Sequence, residues 1–276
     1  IEDLLEEIGR VIGYDKVPPT PPLAGVDLVP VRPLRSKIRA IKRILTGDCG
    51  LDEVMTYSFD STAMLTKLGY SQPDPVVVAN PISSDFKTLR DHLSPNLLGA
   101  IERNAQSIHD FGLFEIGRVF AGTHVEDGTP WQRYRLAIGI YRRAAKPGTD
   151  AENLLRQLRG YVEHLCGRLD LADLAVLADV EGERLPWMSP KATLEVTASG
   201  RRIGWLTRVH PATMRALDIP GVAVIAELDV ESINDAPVAA RLFTPVPRFP
   251  AISMDISLVA DEEVRAGDLF KAIRSR

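Results

Sequence analysis

A chain of 276 residues with 45% hydrophobic content and a mean hydropathy near zero can bury a full core, with room for one large domain and parts of others. Its 33 basic and 37 acidic residues leave a net charge of −4, which excludes a protein that coats nucleic acid by bulk attraction; any RNA contact must come from a local basic patch. No run approaches the roughly 20 apolar residues of a membrane span, the opening I-E-D-L-L-E-E is acidic where a signal peptide is basic, and Cys49 and Cys166 stand apart without metal-ligand spacing, so the expectation is a cytoplasmic protein with reduced, buried thiols and no membrane contact.

Ile1, Leu4, Leu5, Ile8, Val11 and Ile12 fall at helical spacing, and Gly13 stops that helix. Asp3, Glu6 and Glu7 share one side of it and read as an N-terminal cap, Asp3 accepting from the first free amides and Glu6 completing a capping box. Proline density over residues 17–33 marks a linker. A basic amphipathic helix follows from about Pro33 to Thr46, with Leu34, Ile38, Ile41 and Leu45 inward and Arg32, Arg35, Lys37, Arg39, Lys42 and Arg43 largely outward. Such a charge run is a solvated face, a subunit contact or an RNA phosphate contact. Gly50 to Phe59 reads as a strand, Asp60 as the cap of a short helix ending at Leu68, and Val76 to Val78 as a brief apolar strand.

The stretch from Asn80 to Phe120 organises the rest. It reads as a turn at Asn80-Pro81, an extended polar segment to Asp91, a helix opened by Ser94 with Pro95 at its first position, and an alternating strand from Gly112 to Phe120. In that alternation Glu115 lies on the more polar face, either exposed or paired with an arginine such as Arg90. A strand at 134–141, a helix at 151–169, a hairpin of 191–198 and 202–209 turning at Ser199-Gly200, a short helix opened by His210-Pro211 and a buried strand at 222–230 complete the core. Hairpins mixed with helices predict an α+β fold, an antiparallel sheet flanked by helices. After a proline-marked break at 234–247, a strand at 252–259 and an amphipathic helix at 264–273 are expected. Both ends fall inside helical patterns, so the chain reads as a fragment of a longer protein.

There is no P-loop, G-x-S-x-G or H-E-x-x-H, the five histidines are scattered, and His109-Asp110 has no nucleophile nearby in sequence. A more specific signal lies in the order of N-P-I-S at 80–83, T-L-R at 88–90, L-S-P-N-L-L at 93–98, N-A-Q at 104–106 and F-E-I-G-R-V-F at 114–120. Together they resemble the beta subunit of bacterial phenylalanine–tRNA ligase. The resemblance runs more loosely from D-L-L-E-E-I-G-R-V-I-G-Y-D at the start to R-F-P-A-I-S-M-D-I-S-L-V near the end.

That resemblance implies a class II aminoacyl-tRNA synthetase-like core at 21–240, preceded at 1–20 by the end of a B5-type winged-helix domain and followed at 241–276 by a linker and the start of a ferredoxin-like anticodon-binding domain. It implies a non-catalytic portion of the enzyme that supports assembly with the alpha subunit, as an α2β2 heterotetramer, and placement of tRNA(Phe), with no role for DNA. ATP would be used in the alpha subunit. It also implies Mg²⁺ held by Asp3, Glu6 and Glu7 with a further aspartate upstream of residue 1, an incomplete site here. Adenylate chemistry needs arginines aimed at phosphates. Where the alpha subunit carries a G-R-V-[YF]-R segment, this chain has Ala121 in place of the last arginine, and no G-x-G-x-x-R follows Asp229. Arg90 and Arg118 then read as structural ion partners, and no catalytic or cofactor-binding residue is expected. The alternatives are a free-standing RNA-binding or regulatory module of the same fold, and an adenylating enzyme with relocated arginines.

Overall fold

The structure is a computed structural model that describes residues 1–21, 23, 25, 30–81, 83–124, 128–143, 147–177, 184–240, 242–243, 245–261, 264 and 266–274. Two compact units divide it, Ile1–Ala239 and Ala240–Arg276.

Helix α1 (Glu2–Ile12) ends where Gly13 takes φ 93, and a single 3-10 turn, Tyr14–Lys16, follows. The expected capping box is absent: Ile1 occupies the cap position, with no side-chain hydrogen bond. None of the α1 residues is buried. Helix α2 (Pro33–Gly47) begins at a proline whose missing N–H would have been unpaired in any case, and buries Ile41, Ile44 and Leu45.

The expected strand at 50–59 is two short pieces, β1 (Asp52–Glu53) and β2 (Phe59–Asp60), because only β1 reaches the main sheet. Helix α3 (Thr62–Leu68) is capped by Ser61, which accepts from Met64 N at 3.1 Å, and not by Asp60, which is buried in β2. Val77 makes one bridge to Thr88 of β3 (Thr88–Leu89), itself paired with β2. Helix α4 (Ser94–Asn104) has Leu93, not Ser94, at its cap position.

Strands β4 (Asp110–His124) and β5 (Pro130–Arg142) form a long hairpin, followed by α5 (Pro147–Arg168). Then come β6 (Leu174–Leu177), β7 (Met188–Ala198), β8 (Arg201–Val209), α6 (Pro211–Ala216), β9 (Val222–Asp229) and α7 (Val230–Asp235). The seven-stranded sheet runs β1-β4-β5-β9-β8-β7-β6, with β1 parallel to β4 and every other pair antiparallel.

Alternation along these strands sends side chains to two faces, and both are covered. On one, Phe114, Ile138, Val224 and Leu206 meet Ile41 and Leu45 of α2, Leu154, Leu158 and Leu165 of α5, and Ile233 of α7. On the other, Tyr141, Trp205 and Ile225 meet Leu97 and Ile101 of α4, Met214 of α6, and Trp187. Gly139 permits that second packing, since a Cβ there would stand 2.9 Å from Ile101 Cδ1 and 3.2 Å from Leu97 Cδ2. Cys166 is buried and Cys49 half-buried, both free; burial pushes the Cys166 thiol up to about 12.

In the second unit, α8 (Ala266–Arg274) forms, but residues 252–259 are not a strand. Ile252, Met254, Ile256 and Leu258 are exposed, and no described strand lies beside them to take up the backbone donors and acceptors.

Candidate functional site

The register places one row of residues across five strands on the α4 face: Glu115, Ala137, Glu227, Trp205 and Glu195 lie directly opposite one another in turn. Three carboxylates therefore sit in an otherwise apolar layer. Each is buried and each meets a cation, as buried charge requires.

Glu115 is 2% exposed, not an open strand residue, and Arg90 Nη1 donates to it at 2.7 Å. Thr56 closes the pair, donating its hydroxyl to Glu115 at 2.8 Å and its amide at 3.2 Å while accepting from Arg90 at 2.8 Å. Arg90 Nε donates to the Arg118 carbonyl at 2.9 Å. A Cβ on Gly117 would collide with the Arg90 guanidinium, so glycine makes room for the pair. Arg118 itself lies over the Tyr134 ring, 5.0 Å from its centroid, and donates to Gln132.

Glu227 accepts from the Ser94 amide at 3.1 Å and from its hydroxyl, and His92 Nδ1 stands 3.2 Å away. The Ser94 side chain, expected to cap a helix, instead ties α4 to the sheet. Burial alone would raise the Glu227 carboxyl, but His92, Arg135 and Ser94 outweigh it and hold the group well below the usual carboxylate range. Burial likewise works against a charged His92, yet Glu227 prevails and raises its pKa. His92, Tyr70 and Trp187 form a cluster of edge-on rings with centroids 5.2 to 6.1 Å apart. Beside it, Tyr70 donates to Asp91 at 2.6 Å and Gln72 to Asp60 at 2.9 Å. Burial, and then the Asp91 charge, push Asp60 up to about 7.

Beside the middle of this row a cleft of about 310 Å³ opens, lined by His92, Arg133, Arg135, Arg201, Arg202 and Asp229 among others. The sequence assigns no role to Glu227 or these four arginines, and it suggests for Asp60 a helix cap that the structure does not bear out. The available signal for Glu227 was an acid inside the apolar run V-A-V-I-A-E-L; the arginines come together only through strand register.

The acids Asp3, Glu6 and Glu7 are exposed on α1, and Glu7 accepts from Arg10 at 2.9 Å. Among the described residues no group of three or more His, Cys, Asp or Glu stands close enough to hold a metal. Asp110 pairs with Arg142 at 2.9 Å, and His210 caps α6. On α2, Arg32, Arg35, Arg39 and Arg43 are exposed, while Lys42 pairs with Glu53. On the far side of β2, Tyr57, Phe59, Val78, Asn80, Pro81 and Phe86 line an apolar groove of about 350 Å³.

Residues 17–230 match the family described as the phenylalanyl tRNA synthetase beta chain CLM domain. Two bacterial proteins named phenylalanine–tRNA ligase beta subunit are similar along 99% of the chain. That of Geobacillus kaustophilus is 32% identical, and that of Halalkalibacterium halodurans 34% identical. The chain covers 34% of each, about a third of their length. A pyrrolysyl tRNA synthetase structure from Desulfitobacterium hafniense superposes with a TM-score of 0.56 at 13% identity, over 72% of this chain and 67% of that one. This likeness concerns the fold alone.

Proposed function

The chain belongs to the phenylalanyl-tRNA synthetase beta-chain family, and on that premise we propose that it is a non-catalytic part of a phenylalanine–tRNA ligase. It supports assembly with an alpha subunit and placement of tRNA(Phe), while ATP-dependent charging occurs in the alpha subunit. The observation that carries this reading is the fate of Arg90 and Arg118, the arginines of the T-L-R and F-E-I-G-R-V-F segments. Arg90 is 3% exposed and fixed on Glu115, Thr56 and a backbone carbonyl, and Arg118 lies over Tyr134. Neither points a free guanidinium at a phosphate. Beneath α4 the sheet face is packed with Trp187, Trp205, Tyr141 and Leu97.

Assembly has its own support in the apolar groove. Tyr57, more than four-fifths exposed, and Phe86 line it, an apolar surface of the kind that marks a protein interface. Mg²⁺ would fall to Asp3, Glu6 and Glu7, whose oxygens suit a hard cation. With Glu7 on Arg10, these three do not make a coordination set by themselves. The exposed arginines of α2 favour a second reading, an RNA-phosphate contact, which predicts steep salt dependence.

The test is co-purification of the full-length subunit with the alpha subunit from the same genome. Tyr57→Glu with Phe86→Glu should abolish the complex while leaving the thermal unfolding of the subunit unchanged. A complex that survives the double substitution would remove this groove from the interface, and failure to co-purify at all would favour the free-standing module.

A further inference from the structure

We propose that the cleft between β5, β9 and β8 binds a small phosphate-bearing anion. Its wall carries four guanidinium groups, from Arg133, Arg135, Arg201 and Arg202, and one carboxylate, Asp229. The volume, about 310 Å³, is that of a small-molecule pocket.

The acids that face these arginines are already shared. Asp229 Oδ1 accepts from the Ser232 amide at 2.6 Å and lies 3.2 Å from Arg133, while Oδ2 stands 3.9 Å from Arg135 Nε, beyond hydrogen-bond reach. Glu231 accepts from Arg133 at 2.6 Å and from the Tyr134 amide at 3.1 Å. Glu195, 3.2 Å from Arg202, sits at the base of β7, and Glu227 is occupied by Ser94 and His92. Arg135 Nε is itself buried with no hydrogen-bond partner among the described residues, and the rest of the side chain, 23% exposed, lines the cleft.

Four guanidinium groups against one carboxylate on the wall call for a negative ligand, and a guanidinium fork matches phosphate oxygens two at a time. Leu185, Ile203 and Trp205 supply the apolar part of the wall. A single phosphate group on a small molecule meets both conditions. The inference rests on this arrangement of side chains and not on the proposed silence of the sheet.

Inorganic phosphate titrated into the full-length subunit at constant ionic strength, with chloride as the control anion, tests it through tryptophan fluorescence and the shift in Tm. Saturable binding is expected. Arg135→Gln should weaken it about tenfold, the loss for one charge-assisted contact. Arg201→Gln, at the exposed start of β8, should weaken it without touching the core, and Arg39→Gln on α2 should leave it unchanged. No saturable response to phosphate, or a response that both cleft variants retain in full, overturns the proposal. So does a 5′-phosphorylated RNA that binds through Arg135 and Arg201 where inorganic phosphate does not.

Discussion

Replacing Arg90 tests the idea that the charges of the α4 face hold the fold together. Both Arg90 and Glu115 are at most 3% exposed, and their contact at 2.7 Å is closed by Thr56. Arg90→Met strands a buried carboxylate whose remaining donors come from one threonine, and Glu115→Leu strands a buried guanidinium. Breaking a buried ion pair from one side costs about 3–5 kcal/mol. For a unit of this size that lowers Tm by about 6–20 °C. Removing both partners removes the uncompensated charge, so the double variant should be less unfavourable than the sum of the singles by about 2–3 kcal/mol. It should still fall short of wild type, because the Arg118 and Tyr57 carbonyls lose a donor. Urea unfolding of the four proteins gives the cycle. Single variants that add to the double within about 0.5 kcal/mol would show that the pair is not a unit, and the reasoning about buried charge at this sheet would fail.

Gly117→Ala drives a Cβ into the Arg90 guanidinium and should cost about 1–3 kcal/mol by urea unfolding; the same substitution added to Arg90→Met should cost much less, and equal costs would refute the collision. Asp60 supplies a pH signature. Its folded pKa, about 7, lies above its ordinary 3.8, so folding takes up a proton between those values, and stability falls as pH rises from about 4 to about 7 and then levels. At about 1.4 kcal/mol per unit the full effect is on the order of 4 kcal/mol. Asp60→Asn, neutral throughout, should gain on wild type across that window; a difference that is the same at pH 5 and pH 8 contradicts the assignment.

The long amphipathic helices, the hairpin at Ser199-Gly200 and the β4 and β9 strands were legible in the sequence because their hydrophobic periods run for two turns or more. The elements that escaped were short. Strand β6 is four residues without alternation, and α7 has only Asp229 as its N-terminal signal, three residues ahead of the Ser232 amide it accepts. Residues 50–60 look continuous, yet the chain leaves the sheet after Glu53, which no local pattern records. Ser94 and Asp60 misled for one reason: small polar residues before a helix suggest a cap, and here the tertiary fold recruits them to Glu227 and Gln72 instead. The pairing of Arg90 with Glu115 was foreseeable as chemistry, but its closure was not, because Thr56, which bonds to both, comes from elsewhere in the chain.

The central claim is that this domain stands in a ligase without performing its chemistry, and phenylalanine-dependent ATP–pyrophosphate exchange tests it most directly. The assay is run on the full-length subunit, on the alpha subunit and on their mixture. The account predicts no exchange from this subunit alone, exchange from the mixture, and no change when Arg135 is replaced by Gln. Exchange by this subunit alone, abolished by Arg90→Ala or Arg135→Gln, would mean that the arginines described as structural or as anion-binding serve a live adenylating site.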